Sequence, residues 1–183
     1  MKHFRVAKRY GLALFNTARD SSILDTINKD IHTFRAVLES STDLRAVFKS
    51  PVIQGWRKKD ILKEIFGTSL NELTVSFINV LCDKGREDIV TEIFDQFDDL
   101  YNKHNNLLPI TVTSAVAMSD DEKQKLVANI KAKFGATPVA TYSLNPELKG
   151  GLLVQVGDVL FDTSLRTQLL KLRNSLVSGQ SLN

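Results

Sequence analysis

The chain has 183 residues, of which 43% are hydrophobic and 25% are charged, a balance typical of globular proteins and not of disordered or fibrous ones. Its net charge of +3 comes from 24 Lys and Arg against 21 Asp and Glu, so it lacks the excess of base found in general nucleic-acid binders. The single cysteine, Cys82, can close no disulfide within the chain, which favours a reducing compartment. The longest uncharged stretch, from His104 to Ser119, contains Pro109 and several polar residues, so no membrane-spanning helix is predicted.

Apolar side chains recur at three- and four-residue steps through the first hundred residues, which is the spacing of amphipathic helices. The clearest case is the repeat of Ile and Phe residues between Ile23 and Leu38. Gly67 and Gly85 follow two of these segments and favour helix ends there. We predict helices over residues 6–18, 23–38, 44–49, 56–66, 69–85 and 86–101.

Short polar residues at the starts of these segments indicate N-terminal caps, because their side-chain oxygens accept from the first free N–H groups of a helix. Two Ser-x-x-Glu sequences, Ser69 to Glu72 and Ser119 to Glu122, predict capping boxes. The other expected caps are Ser21 or Ser22 for the second helix, Ser41 or Thr42 for the third, and Asp162 or Thr163 for the last.

Two of the helices carry more specific expectations about which side chains face the core. The fourth helix is expected to bury Ile61, Leu62, Ile65 and Phe66. The sixth has an acidic side, which we interpret as a solvated face because no apolar pocket surrounds it. Its acidic residues are Glu87, Asp88, Glu92, Asp95, Asp98 and Asp99.

The pattern changes after Asn106, where β-branched residues alternate with others as in a strand. Strands are predicted over residues 110–115, 139–144, 152–156 and 159–161, with helices over 119–134 and from Leu165 onward. Gly157 and Asp158 separate the last two strands and predict a β-hairpin. The expected fold class is α+β: a six-helix N-terminal bundle, residues 1–105, followed by a small α/β domain with a hairpin and two helices, residues 106–178, and a flexible tail, residues 179–183.

No combination of residues in the sequence indicates a catalytic, cofactor-binding or metal site. The histidines His3, His32 and His104 are scattered, with no second ligand one helical turn away. Cys82 stands beside Leu81 on an apolar helical face, where a buried and inert thiol is expected. We therefore expect no catalytic residue, no cofactor and no metal ion.

The sequence Lys149-Gly150-Gly151 is the one segment that could suggest a phosphate-binding loop, since adjacent glycines expose backbone N–H groups to anions. A phosphate-binding Gly-Lys-Ser/Thr sequence opens a helix, whereas here the glycines lead into the apolar strand that starts at Leu152. A turn or a close approach of two backbones is the favoured interpretation. A small nucleotide-binding protein or enzyme using this loop stays as an alternative.

Several segments, in order along almost the whole chain, resemble one known family. They are Val6-Ala7-Lys8-Arg9-Tyr10 with Ala13-Leu14, Ser50-Pro51-Val52-Ile53, Phe77 to Leu81 with Gly85-Arg86, Asn145-Pro146-Glu147-Leu148-Lys149-Gly150-Gly151-Leu152, Val156-Gly157-Asp158, and Asp162-Thr163-Ser164 with Leu169. The chain resembles the delta subunit of bacterial F-type ATP synthases, whose mitochondrial relative is the oligomycin-sensitivity-conferring protein. Arg9 and Gly11 stand where relatives often carry proline and alanine.

The resemblance implies a structural role without catalysis, in the peripheral stalk or stator of a proton-translocating F-type ATP synthase. The N-terminal bundle is then expected to bind N-terminal helices of the alpha subunits of the catalytic head. The C-terminal domain is expected to bind the end of the membrane-anchored b subunits. Such a subunit holds the head still, so that rotor torque is used for ATP synthesis. No nucleic acid and no homo-oligomer are expected.

By the same resemblance, the alpha-subunit helix lies between the first and fifth helices of the bundle. The residues expected to bind it are Val6, Tyr10, Ala13, Leu14, Thr17, Phe77, Ile78, Val80 and Leu81. Several of these must instead belong to the core, and the periodicity alone does not separate the two groups. Gly11 and Ala13 are small enough to let another helix approach closely.

Two further expectations concern the source and location of the protein and its alternative function. The first helix begins near residue 6 without a preceding transit segment, which favours a bacterial protein on the cytoplasmic side of the cell inner membrane, peripheral to it through the complex. A free-standing helical adaptor that binds an amphipathic helix of some other partner is the alternative from the residues alone.

Overall fold

The fold is described from a computed structural model, which describes residues 4–50, 52–67 and 69–178. The structure contains both α-helices and a β-sheet, so the α+β fold class is confirmed. The chain separates into two compact units, with the division between Tyr101 and Asn102. The predicted tail, residues 179–183, lies outside the described residues.

The described part of the first unit is built from α-helices that lie where the apolar periodicity predicts them, with ends that differ by a few residues. Helix α6 is preceded by a short 3₁₀ turn, Glu87–Ile89, and its last residues continue into the second unit. The helices are α1 Phe4–Asp20, α2 Leu24–Ser40, α3 Thr42–Lys49, α4 Gly55–Phe66, α5 Glu72–Asp83 and α6 Val90–His104.

Of the N-terminal caps predicted for α2 and α3, one is confirmed and one is wrong. Ser41 caps α3 as predicted, its side chain accepting from the Leu44 N–H at 3.2 Å. The cap predicted for α2 is wrong: Ile23 holds that position without a side-chain hydrogen bond, and Ser22 has a φ of +56° in the turn before it. A serine that must adopt a left-handed backbone in a tight turn is not placed to cap the next helix.

The capping box predicted for α5 is also wrong, because the helix begins at Glu72 and Asn71 is its cap. Asn71 accepts from the Leu73 N–H at 2.9 Å. The buried carboxylate of Asp30, on α2, accepts from the Asn71 N–H and from the Thr74 hydroxyl, both at 2.7 Å. A tertiary contact from 41 residues away therefore fixes the start of α5, and no local sequence pattern reports it.

The core of the first unit is centred on the fully buried ring of Phe34. Its centroid lies 5.0 Å from that of Phe66 in a stacked arrangement, and 5.7 and 5.5 Å from Phe48 and Phe94 in edge-to-face arrangements. Rings from α2, α3, α4 and α6 therefore meet at one point, in the geometries that aromatic quadrupoles prefer.

A buried ion pair joins α4 to the 3₁₀ turn before α6. The ammonium of Lys58 lies 2.5 Å from Oε1 of Glu87, and both residues are buried. The same ammonium donates to the carbonyl oxygen of Ser50 at 2.8 Å and to that of Phe48 at 3.3 Å. Lys58 thus binds carbonyl oxygens at the C-terminal end of α3. The prediction that Glu87 belongs to a solvated face is wrong, because this carboxylate is buried against Lys58.

Replacing Lys58 by Ala is expected to destabilise the protein by about 3 kcal/mol or more, because the Glu87 carboxylate would stay buried without its partner. Lys59→Ala is the matched control, since the neighbouring Lys59 pairs with Asp83, which is largely exposed; its expected cost is below about 1 kcal/mol. Urea unfolding followed by circular dichroism measures both. Equal losses for the two variants would contradict the assigned role of the buried pair.

The described elements of the second unit are β1 Leu107–Ser114, α7 Asp120–Phe134, β2 Thr137–Leu144, β3 Leu152–Val156, β4 Val159–Asp162 and α8 Leu165–Ser178. The strands pair in the order β2-β1-β3-β4. Strand β1 runs parallel to β2, while β3 is antiparallel to both β1 and β4, and Val156 lies opposite Val159. A 3₁₀ turn, Pro146–Leu148, precedes β3.

The core of the second unit lies between one face of the sheet and α7. Ile110, Val112, Val154 and Val156 are buried together with Ile130 of the helix. Alternate residues of a strand point to opposite faces, so only half of each strand contributes to this core. The other half and most of α8 stay exposed.

Two helix starts in this unit differ in how well the sequence predicts them. The capping box of α7 is confirmed, with Ser119 accepting from the Glu122 N–H and Glu122 accepting from the Ser119 N–H. For α8 the predicted caps, Asp162 or Thr163, are one or two residues too early. Ser164 is the residue that caps α8, because its hydroxyl oxygen accepts from the Thr167 N–H. Asp162 lies in the preceding turn and accepts from the Ser164 N–H.

The capping box makes a pH-dependent prediction. Hydrogen bonds from the backbone and then the side chain of Ser119 lower the pKa of Glu122 below its ordinary value of 4.5. The box therefore stabilises the fold above about pH 4.5, and this contribution is lost as the pH falls through the lower pKa of the folded state. In Ser119→Ala the hydroxyl contribution disappears, so the pKa of Glu122 should rise towards 4.5 without reaching it.

Carbon-13 NMR titration of the Glu122 carboxyl in both proteins measures this shift. Asp162 is the internal control, since its pKa is lowered by hydrogen bonds from Ser164 and should not change. An unchanged pKa of Glu122 in Ser119→Ala would show that the Ser119 hydroxyl does not contribute.

Candidate partner-binding surface

Helix α1 presents two neighbouring rows of residues with different burial. The row that faces the core is buried and consists of Ala7, Gly11, Leu14, Phe15 and Ala18. The second row runs along the helix beside the buried row, with its residues four, three and four positions apart. It consists of Val6 and Tyr10, which are half-buried, and Ala13 and Thr17, which are exposed.

Helix α5 repeats this arrangement. Ile78 and Leu81 are buried in the core. Leu73 and Phe77 are half-buried and Val80 is 45% exposed, so these three form a row beside the buried one. Steps of four and three residues keep them on one side of the helix.

The two rows meet through a ring contact. The centroids of Tyr10 and Phe77 lie 6.4 Å apart, edge to face. The guanidinium of Arg9 lies 5.6 Å from the Tyr10 ring centroid, within cation–π range. We call the joined rows the α1–α5 strip, which consists of Val6, Tyr10, Ala13, Thr17, Leu73, Phe77 and Val80.

The nine residues predicted to bind the partner fall into two groups by their burial. Leu14, Ile78 and Leu81 have almost no exposed surface, so they support the strip from beneath. Val6, Tyr10, Ala13, Thr17, Phe77 and Val80 belong to the strip. Leu73 was missed as a candidate, although its four-residue spacing from Phe77 is visible in the sequence.

Gly11 lets another helix approach closely, as predicted, and that helix is α6 of the same chain. A Cβ on Gly11 would lie 2.8 Å from the Cβ of Gln96 and 2.9 Å from the carbonyl oxygen of Ile93. Such distances are too short for real side chains, so the glycine is needed for the close packing of α1 against α6 of the same chain. Ala13, by contrast, is exposed and part of the strip.

The glycines of the Lys149 loop are explained by packing, as expected. Gly150 has a φ of +150°, and a Cβ there would lie 2.6 Å from Cδ1 of Leu165. Gly151 has a φ of +78° and approaches the carbonyl oxygen of Thr163 closely. Both positions require a backbone conformation that other residues rarely adopt, and both place the loop against the start of α8.

The described part of the chain contains little that could support catalysis or metal binding. Cys82 is buried as predicted, and burial raises the pKa of its thiol to about 11. Within residues 4–50, 52–67 and 69–178, no three His, Cys, Asp or Glu side chains are grouped to hold a metal ion. None of the helices in that part has the length and hydrophobicity needed to cross a bilayer.

Comparison with known proteins identifies the family. The profile of the family "ATP synthase delta (OSCP) subunit" matches residues 6–176. This chain belongs to that family. The ATP synthase subunit delta of Pelodictyon phaeoclathratiforme is 35% identical over 172 residues, covering 94% of this chain and 97% of the relative. That of Symbiobacterium thermophilum is 32% identical over 181 residues, covering 99% and 97%.

A solved structure shows the same fold. A chain in the cryo-EM structure of the Toxoplasma gondii mitochondrial ATP synthase hexamer aligns with a TM-score of 0.72 at 22% identity, covering 93% of this chain and 97% of that one. Its similarity supports the fold. Membership of the delta family makes the chain a non-catalytic stator subunit, peripheral to a membrane complex.

Proposed function

We propose that this chain joins the catalytic head of a proton-translocating F-type ATP synthase to its membrane-anchored b subunits. Residues 1–105 act as a six-helix bundle that binds the N-terminal helices of the alpha subunits. Residues 106–178, with the β3–β4 hairpin and the helices α7 and α8, bind the end of the b subunits. The complex lies on the cytoplasmic side of the bacterial inner membrane.

The observation that carries the proposed alpha-subunit contact is the α1–α5 strip. Its half-buried side chains are anchored in the core below, while their upper surfaces are open. The row on α1 runs from residue 6 to residue 17, about 16 Å at 1.5 Å per residue. This length suits three turns of a bound helix, and a row at four- and three-residue steps suits the ridge of an amphipathic one.

The strip also suits the mechanical demand on a stator. A joint that resists rotor torque must dissociate slowly, and among related contacts the differences in affinity lie mostly in the dissociation rate. The side chains of Tyr10 and Phe77 hold each other edge to face before any partner binds. Little side-chain freedom then remains to be lost on binding, which favours a stable contact.

The alternatives are less well supported. The packing of Gly150 and Gly151 accounts for the loop that suggested nucleotide binding. A free-standing adaptor would explain the strip equally well, but it would not explain why the family profile extends through residue 176.

The test is a single charge in the strip. Val80→Asp in the full chain is expected to weaken binding of a synthetic alpha-subunit N-terminal peptide by about tenfold or more, since a carboxylate would be desolvated at the contact. Because Val80 is 45% exposed, the variant should stay folded. Ile65→Asp is the matched control: Ile65, predicted to face inward, is also 45% exposed, on α4.

Isothermal calorimetry measures the affinities, and thermal melting confirms the fold of both variants. Equal peptide affinity for wild type and Val80→Asp would exclude the strip as the binding surface. Failure of wild type to bind either the alpha peptide or the soluble region of the b subunit would contradict the proposed function itself.

A further inference from the structure

Helix α8 carries a row of leucines that its own unit covers only in part. They follow one another at steps of four, three and four residues, which is the a/d spacing of a coiled coil. At about 100° per residue, their directions span only about 60° of the helix. These leucines, which we call the α8 seam, are Leu165 at 46% exposed, Leu169 at 55%, Leu172 at 43% and Leu176 at 75%.

The two sides of the seam differ in charge. Arg166 and Arg173 are seven residues apart and both occupy the e position beside the seam. On the opposite side, the g positions hold Gln168 and Ser175, whose side chains donate to the carbonyl oxygens of Thr163 and Leu172. Residues 165–178 contain no Asp or Glu. The seam is therefore flanked by cations on one side only.

A third cation lies next to the same flank. Lys149, in the glycine loop, lines an open depression of about 560 Å³ together with Arg166, Leu169, Leu170 and Arg173. The one carboxylate there is that of Glu147, which lies 3.8 Å from Arg166. Both side chains of that pair are more than half exposed, so it leaves the guanidinium accessible to another anion.

From this arrangement we infer that the α8 seam binds an amphipathic helix whose own apolar ridge is bordered on one side by acidic residues seven apart. The leucines supply the contact, and the arginines select the side on which the carboxylates must lie. Charges at positions flanking a coiled-coil seam are known to set partner choice and orientation. The inference rests on the proposed function only in naming the carrier of this helix, the end of the b subunit.

The placement of the two arginines favours a helix over a lipid surface. A helix that lies in a membrane interface needs a broad apolar face and cations spread around its polar face. On α8 a fifth leucine, Leu170, is 47% exposed, but at about 100° per residue Arg166 and Arg173 lie between it and the seam. The cations therefore interrupt the apolar surface and leave the seam narrow.

The test uses the full chain and the soluble helical region of the b subunit from the same organism, with affinity measured by calorimetry at low and physiological salt. Arg166→Glu with Arg173→Glu is expected to weaken binding by about tenfold or more at low salt, with a smaller effect at higher salt. Lys171→Glu is the matched control and should change the affinity by less than about twofold. Replacing the two acidic flanking residues of the b helix by Lys should restore binding to the doubly reversed variant.

A second pair of variants tests the leucines. Leu169→Asp should weaken binding of the b region, whereas Leu160→Asp, at a β4 residue that is 56% exposed, should not. Thermal melting verifies the fold of every variant. If the double variant Arg166→Glu with Arg173→Glu does not fold, Arg166→Gln with Arg173→Gln is used in its place.

Three results would overturn the inference. The first is that Arg166→Glu with Arg173→Glu leaves binding of the b region unchanged. If the alpha peptide also still binds, the proposed function stands although the inference fails. Another is an equal loss with Lys171→Glu, which would indicate unspecific attraction. The third is arginine-dependent binding of wild type to phosphatidylglycerol vesicles, with none to the b region, which would assign the seam to a membrane and would also contradict the proposed b contact.

Discussion

The first unit depends on the convergence of aromatic rings on Phe34. Because rings from α3, α4 and α6 contact this one side chain of α2, these helices are fixed relative to each other at a single buried point. Helices α1 and α5 pack against the same core with their buried rows. Their neighbouring rows are then held in place without being covered, and this is the physical origin of the α1–α5 strip.

Apolar surface left over after folding is a liability unless a partner covers it. Among the described residues it includes two ordered rows, a half-buried strip on the first unit and a leucine seam on the second. The strip is pre-arranged by the Tyr10–Phe77 contact and lined mainly by uncharged side chains, whereas the seam is flanked by Arg166 and Arg173. In the proposed function, these two surfaces of different chemistry let one subunit discriminate between its two partners.

The sequence predicts features whose causes are local. Helical periodicity indicates the positions of the helices, and the capping box at Ser119 is confirmed because both its partners lie within one turn. Features with distant causes were missed: the contact of Asp30 with the start of α5, and the burial of Lys58 against Glu87. Periodicity placed the α1 residues on one broad stripe, but only the packing of α6 onto Gly11 shows where the core ends and the strip begins.

In the proposed function, the chain transmits force between its partners and transforms no molecule. ATP-driven proton pumping in membrane vesicles from the source organism, measured after the chain has been stripped off and then restored, tests this role. Stripping should abolish pumping while the head continues to hydrolyse ATP, and the purified chain should restore pumping. Full pumping by stripped vesicles, verified to contain none of the chain, would contradict it.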